Sequence, residues 1–322
     1  MQNNNYNIDT STVMDEVNRS FKPHNKKAKR NNPELKTTAG IRPEWLKVKA
    51  PNGDTYQNIQ KLMRSKSLHT VCEEAHCPNI GECWGHGTAT FMILGDTCTR
   101  ACSFCAVKTG IPGTVNREEP MDVAMAVKKM GLKHTVVTSV NRDELKDQGS
   151  TIWADTILRV KEINPGITVE VLIPDFKGDK VCLDRVIKAG PDILNHNVET
   201  VPRLYKKIRP QAKYQRSLDV LEYSKSMGMK TKSGIMVGIG ENDEEVFELM
   251  KDFVKVKLDI MTIGQYLQPS VNHSPVDRFV TPEQFKEYKR FGESIGIPHV
   301  ESGPLVRSSY HAHEHLKVNA QN

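Results

Sequence analysis

The eight residues from Cys98 to Cys105, C-T-R-A-C-S-F-C, constrain this chain more than any other stretch. Thiols at first, fifth and eighth place leave loops too short to pack on themselves. They can still wrap three sulfurs around one face of a cubane iron–sulfur cluster, whose fourth iron then has no cysteine ligand. An iron left open in this way is a place for chemistry. The competing readings are a zinc knuckle and a ferredoxin-type loop. Zinc asks for a tetrahedral fourth ligand, and the next cysteine downstream is Cys182.

A second triad, Cys72, Cys77 and Cys83, lies upstream in V-C-E-E-A-H-C-P-N-I-G-E-C-W. Its gaps of four and five residues suit a loop wound around a cluster, with Pro78 and Gly81 supplying turns. The alternative is a zinc site completed by His76 or His86. Six of the seven cysteines fall between Cys72 and Cys105, a density that argues for metal binding in a reducing compartment over disulfide pairing. Cys182, alone on an amphipathic helix, reads as a small buried hydrophobe.

At 322 residues the chain exceeds the usual single domain, but barrels of repeated βα units run this long as one. The 38% hydrophobic content supplies a large core, and no apolar run approaches the roughly 18 residues of a membrane span. The start of the chain is rich in Asn and Lys and lacks the apolar centre of a secretory signal, so a cytoplasmic protein without a membrane partner is expected. A net charge of +6 could steer an acidic partner. No basic block with interleaved aromatics marks a nucleic-acid surface.

Four regions are expected: a polar, mobile tail over 1–41, with a basic cluster at Lys26, Lys27, Lys29 and Arg30; an extension over 42–87 carrying the second triad, Cys72, Cys77 and Cys83; a barrel over 88–295; and a C-terminal extension over 296–322. Ile59, Leu62 and Met63 at helical spacing predict a short helix ending near Ser67. Strands are predicted near Thr88–Leu94, His134–Val140, Ile167–Ile173, Asp192–Val198, Thr231–Ile239 and Asp259–Leu267. The helices between them run near Met121–Met130, Thr151–Ile163, Lys180–Ala189, Ser217–Met227 and Asp243–Val256. A last helix over Thr281–Ile295 and a seventh strand over His299–Val306 follow. Strict alternation implies a parallel sheet with right-handed crossovers, and six units suit an open α/β architecture, a partial (β/α)6 TIM-like barrel with terminal extensions.

Working residues in such barrels sit where strands end. Polar groups gather there: Asn141, Arg142 and Asp143; Glu170 and Asp175; Asn195, His196, Asn197 and Glu199; Gly238, Gly240 and Glu241; Gln265, Tyr266 and Gln268. Any one of them could be a cap or turn. Their recurrence at five successive ends points to a mouth that binds something.

The cysteine octet, set directly after the strand T-A-T-F-M-I-L, resembles the cluster loop of radical S-adenosylmethionine (SAM) enzymes. With both triads, D-I-L-N-H-N-V-E-T, T-I-G-Q-Y-L-Q-P and the late G-P-L-V-R-S-S-Y-H-A, the chain resembles the lipoyl synthase family over roughly Arg42 to His313. That resemblance implies two [4Fe–4S] clusters and SAM. Cys98, Cys102 and Cys105 would hold the SAM cluster, and Cys72, Cys77 and Cys83 the auxiliary one, with a serine of R-S-S-Y, Ser309 before Ser308, as fourth ligand. Asn141, Arg142, Glu170, His196, Asn197 and Arg216 would grip SAM as a group, Gln265, Tyr266 and Gln268 would line the mouth, and Arg307 would restrain the cluster loop. The implied reaction replaces hydrogens on carbons 6 and 8 of a protein-bound octanoyl-lysine by sulfur taken from the auxiliary cluster. The implied partners are octanoylated carriers, either lipoyl domains of dehydrogenase complexes or the glycine-cleavage carrier, and a flavodoxin or ferredoxin reductant.

Overall fold

The computed structural model describes residues 40–48, 54–65, 68–74, 77, 79–85, 89–309 and 312. The expected polar tail, His76, Pro78, His86 and the histidines after Tyr310 lie outside them.

Chain order begins with α1 (Asp54–Ser65), β1 (His69–Thr70), α2 (Val71–Glu74) and α3 (Ile80–Gly85). The barrel follows: β2 (Thr90–Ile93), the short β3 (Thr97–Cys98) and β4 (Lys108–Thr109), α4 (Glu119–Met130), β5 (His134–Ser139), α5 (Ser150–Ile163), β6 (Thr168–Leu172) and α6 (Lys180–Lys188). It continues through β7 (Ile193–Asn195), α7 (Tyr205–Ile208), α8 (Tyr214–Ser226), β8 (Thr231–Val237), α9 (Asp243–Lys255), β9 (Ile260–Gln265), α10 (Pro282–Ser294) and β10 (His299–Gly303).

The main sheet runs β1-β2-β5-β6-β7-β8-β9-β10, every neighbouring pair parallel except the antiparallel β1–β2 edge. Strands joined in chain order through helices are the βα repeat expected, and β10 is the expected seventh strand. Among the described residues no ladder joins β10 back to β1, so the barrel is partial. Strands covered on both faces read as unbroken apolar runs, and every residue of Thr90–Ile93 and of Ile260–Gln265 is buried. The crossover helices dock by one stripe: Val246, Leu249, Met250 and Phe253 of α9 are buried at i, i+3, i+4 and i+7. That helix starts at a capping box in which Asn242 and Glu245 bond each other's backbone N–H groups.

Two expectations need correcting. Strand β7 stops at Asn195, not Val198: the Val198 N–H turns to the Ser233 hydroxyl instead of a strand carbonyl, and regular pairing gives way to one bridge between Glu199 and Ile235. Glu170 is not at a strand end: it is the third of the five residues of β6 and points into the barrel, against Lys232.

Candidate active site

The cysteine octet leaves β2 at the C-terminal end of the sheet and is fixed from three directions. Arg100, in its middle, is buried and sends its guanidinium to both oxygens of Asp143, at 2.6 and 2.8 Å, and to Asp175 at 2.7 Å. Burial alone would raise the Asp175 carboxyl, but the Arg100 charge and hydrogen bond hold it well below the usual range. One cation thus ties the octet to the loops after β5 and β6. From the other side, Ser103 N–H donates to Ile208 O at 2.9 Å, and Ser274 N–H donates to Ser103 O at 2.9 Å.

The Cys98 sulfur faces three N–H donors: the backbone of Arg100 at 3.4 Å, and the backbone and side chain of Asn141 at 3.3 and 3.8 Å. Such donors stabilise a thiolate and tune a cluster held by it. Burial pushes Cys102 up to about 11. It raises Cys105 as well, and the neighbouring Cys102 and Cys98 charges add to that rise. Among the described cysteines all are free of disulfides.

Beyond the octet lies the residue group expected to grip SAM. His196 is buried and neutral: Nδ1–H donates to Ile173 O at 2.9 Å, so Nε2 accepts from the Ser217 hydroxyl at 3.0 Å. The chain of donors continues back through Tyr205, 2.8 Å from Ser217, to Arg209, whose Nη1 donates to Tyr205 at 2.8 Å and to the carbonyls of Asn197 and Val198. His196 therefore sets the orientation of Arg209, a cation that lowers the Cys102 pKa. Arg216 reaches Asp175 at 3.1 Å. Arg142 spends its donors on Glu144, Leu94 O and Gly113 O. Gln265, Tyr266 and Gln268 clamp the 273–280 segment through bonds to Arg278 O, Val280 N–H, Ser274 O and His273 O. His273 and Ser274 in turn hold Cys105 O and Ser103, so these three side chains brace the octet from behind.

The barrel interior departs from the usual layers of bulky branched side chains. Glu170 and Lys232 form an ion pair at 2.9 and 3.1 Å with neither side chain exposed, and Asn195 donates to the same carboxylate at 3.1 Å. Toward the mouth the inward positions are small, Gly234, Thr262 and Gly264. They leave a cavity of about 140 Å³ also lined by Glu199, Met236, Val306, Arg307 and Ser308.

The second triad lines a cavity of its own, ringed by Cys72, Cys77, Asn79, Cys83, Thr90, Arg307 and Ser309. Burial pushes Cys72 up to about 11, and Thr90 bonds it at the start of β2, so this cavity lies toward the opposite end of that strand from the octet. The groups ring a space instead of converging on a point: among the described residues no three His, Cys, Asp or Glu side chains are disposed around a single ion. Three thiols and a hydroxyl around one cavity are a donor set for a cluster.

Ser309 arrives because the chain doubles back after β10. Gln265 N–H bonds Pro304 O at 3.4 Å, and Asn79 Nδ2 donates to Leu305 O at 2.7 Å across 226 residues. A Cβ at Gly264 would overlap Val306 O, so this return path needs glycine there. Arg307 lines both cavities, which makes the returning segment their shared wall.

Sequence reasoning passed over Lys232, Arg209 and Asn79. Lys232 carried a signal, a cation inside the apolar strand T-K-S-G-I-M-V, which a buried strand tolerates only with a partner. Arg209 and Asn79 carried none, since polar residues in loops are ordinary. Cys182 is buried as expected, its thiol donating to Asp147 O at 3.3 Å.

Residues 92–253 match the family described as the radical SAM superfamily, and residues 8–77 match the N-terminal domain of lipoyl synthase of the radical SAM family. The second match begins well ahead of Arg42, where the resemblance read from the motifs begins. The chain is 60% identical over 275 residues to a lipoyl synthase of Rubrobacter xylanophilus, covering 85% of this chain and 86% of that one. It is 54% identical to a mitochondrial lipoyl synthase of Nematostella vectensis, covering 85% and 95%. Among solved structures, Streptococcus suis SuiB bound to its precursor peptide SuiA shares the fold, with a TM-score of 0.53 at 10% identity over 91% of this chain and 60% of that longer one. The chain belongs to the lipoyl synthase family of radical SAM enzymes, which insert sulfur and use a [4Fe–4S] cluster and SAM.

Proposed function

We propose that this lipoyl synthase works with two cysteine cages: Cys98, Cys102 and Cys105 for the SAM cluster, and Cys72, Cys77, Cys83 and Ser309 for a second [4Fe–4S] cluster that is consumed as the sulfur source. The observation that carries the reading is Ser309 in one cavity wall with Cys72, Cys77 and Cys83. Ser309 is preferred to Ser308 because the Ser308 hydroxyl already accepts from Asn197 at 2.7 Å. A hydroxyl beside three soft thiolates is a poorly matched iron ligand, suited to a cluster that must open.

When bound, the cofactors supply a primary carbon radical strong enough for unactivated C–H bonds, and sulfide to trap the product radical. The chain's own work is placement. Asn141 and Arg100 fix Cys98. His196, through Ser217 and Tyr205, aims Arg209 toward the mouth. Asn197, Glu199 and Arg216 are the polar groups proposed to meet SAM. The small residues at Gly234 and Gly264 leave room between the two cages for an extended acyl chain.

The substrate is a protein-bound octanoyl group. Lipoyl domains of dehydrogenase complexes or the glycine-cleavage carrier are the proposed carriers, and flavodoxin or ferredoxin the proposed reductant. Among the described residues no helix is long and apolar enough to cross a membrane; the cytoplasm is the proposed location, where seven thiols stay reduced. The regions 42–87, 88–295 and 296–322 are proposed as cluster-bearing extension, barrel and closing segment.

The test is a Cys72→Ala, Cys77→Ala, Cys83→Ala variant, incubated anaerobically with SAM, dithionite and an octanoyl-lysine peptide. It should release 5′-deoxyadenosine and form no lipoyl. Full lipoyl formation by this variant overturns the reading.

A further inference from the structure

The two serines of R-S-S-Y face different cavities: Ser309 the one ringed by Cys72, Cys77 and Cys83, Ser308 the larger one inside the barrel mouth. Ser308 is bound there to one residue. Asn197 Nδ2, two positions beyond the end of β7, donates to Ser308 Oγ at 2.7 Å and to Glu199 Oε1 at 3.2 Å. The Asn197 side chain is 8% exposed, yet its Oδ1 has no partner among the described residues. That oxygen looks across at Gly234, where a Cβ would stand only 3.0 Å away. A buried amide with both protons engaged and its acceptor empty is costly unless something fills the acceptor site.

The returning segment is well anchored up to Val306, by Gln265, Asn79 and Gly303. Past Val306, among the described residues, the Asn197–Ser308 bond is the hydrogen bond that ties it to the barrel. Ser309 is the next residue. A weak hydroxyl ligand is occupied only as well as its backbone presents it, and fixing the preceding residue removes most of the freedom that would pull it away.

We propose that Ser308 is a positioning residue, a latch from Asn197 that holds Ser309 at the second cluster and that loosens when SAM fills the mouth and draws the Asn197 amide to itself. The inference rests on the two-cage reading above. It makes the mouth of the barrel and the opening of the second cage one device: binding at Asn197 is felt one residue away from the labile ligand. Ser308 itself ligates nothing and touches no reacting atom.

The test uses reconstituted protein without reductant, so that no turnover occurs. The rate at which a chelator strips iron is followed with and without SAM, alongside amide hydrogen exchange across residues 304–309. In wild type, SAM should speed both. Ser308→Ala should strip about tenfold faster than wild type, the effect expected for loss of one hydrogen bond, and gain nothing more from SAM. Ser308→Thr, which keeps the acceptor, should behave as wild type. Ser309→Ala should be fast, and adding Ser308→Ala to it should change nothing further, since the two act as one unit. Wild-type rates in Ser308→Ala, indifference of wild type to SAM, or additive effects overturn the latch while leaving two cages standing. Wild-type protein that reconstitutes with only about four irons overturns both the latch and the reading beneath it.

Discussion

His196 shows how a residue chosen for its position at a strand end acts through its surroundings. Its two nitrogens are spent on Ile173 O and Ser217, and burial, with the Arg209 charge second, pushes its pKa down to about 4 from 6.5. Between those values the unfolded chain binds the extra proton and the folded chain refuses it. Stability is therefore full above pH 6.5 and drains away as the pH falls toward 4, by roughly 3 kcal/mol for a shift of this size. Urea unfolding of the cluster-free protein across that window should show the loss, and His196→Gln should flatten it; an unchanged pH slope in the variant counts against a neutral buried imidazole. The sequence marked His196 as functional but gave no view of Ser217 or Tyr205, because their contact is made by a helix returning to the strand end. Arg142 illustrates the reverse. It sits at a strand end as expected, yet its guanidinium is committed to Glu144 and to the carbonyls of Leu94 and Gly113. Position in the sequence shows that a polar group is at the mouth; what the group faces is decided by loops whose conformations no periodicity encodes.

The strands and helices were legible because both faces of each strand are covered and each helix presents one apolar stripe, so the pattern of burial repeats the pattern of residues. Where legibility failed, a backbone device intervened. The Val198 N–H, turned to the Ser233 hydroxyl, took β7 out of its ladder early, and the Lys232–Glu170 pair placed an acid mid-strand that looked like a strand-end residue. The element least visible in the sequence is the returning segment after β10, which has no periodicity and is held by Asn79 and by the absence of a side chain at Gly264. Gly264→Ala would drive a methyl group into Val306 O. Overpacking of this kind costs about 1–3 kcal/mol, and because the strain falls on the segment that delivers Ser309, iron content should drop from about eight toward about four per chain while SAM cleavage persists. Iron analysis beside thermal unfolding checks it. Retention of both clusters at wild-type stability would show that the segment reaches Ser309 by some other route.

At the scale of the whole molecule, the described segments before β2 and after β10 flank an open barrel. The extension before β2 brings three thiols to the strand-start side, the octet after β2 brings three more to the strand-end side, and the four residues of β2 rise roughly 13 Å between them. Arg307, Ser308 and Ser309 span that interval from the far end of the sequence. Cysteine spacing points to two cages, but no local pattern could announce that the Cys72 cavity and the barrel cavity share a wall, since the contact joins residues more than two hundred positions apart. The proposed function asks the interior to hold an octanoyl chain with its reacting carbons between a radical source and a sulfur source, and to spend the proposed second cluster in the process. Mass measurement of an octanoyl-lysine peptide after anaerobic incubation with SAM, dithionite and fully reconstituted protein tests this most directly. The account predicts stepwise gain of two sulfurs and no more than about one lipoyl group per chain. Many lipoyl groups per chain with no sulfide added, or SAM cleavage with no sulfur gained, would contradict it.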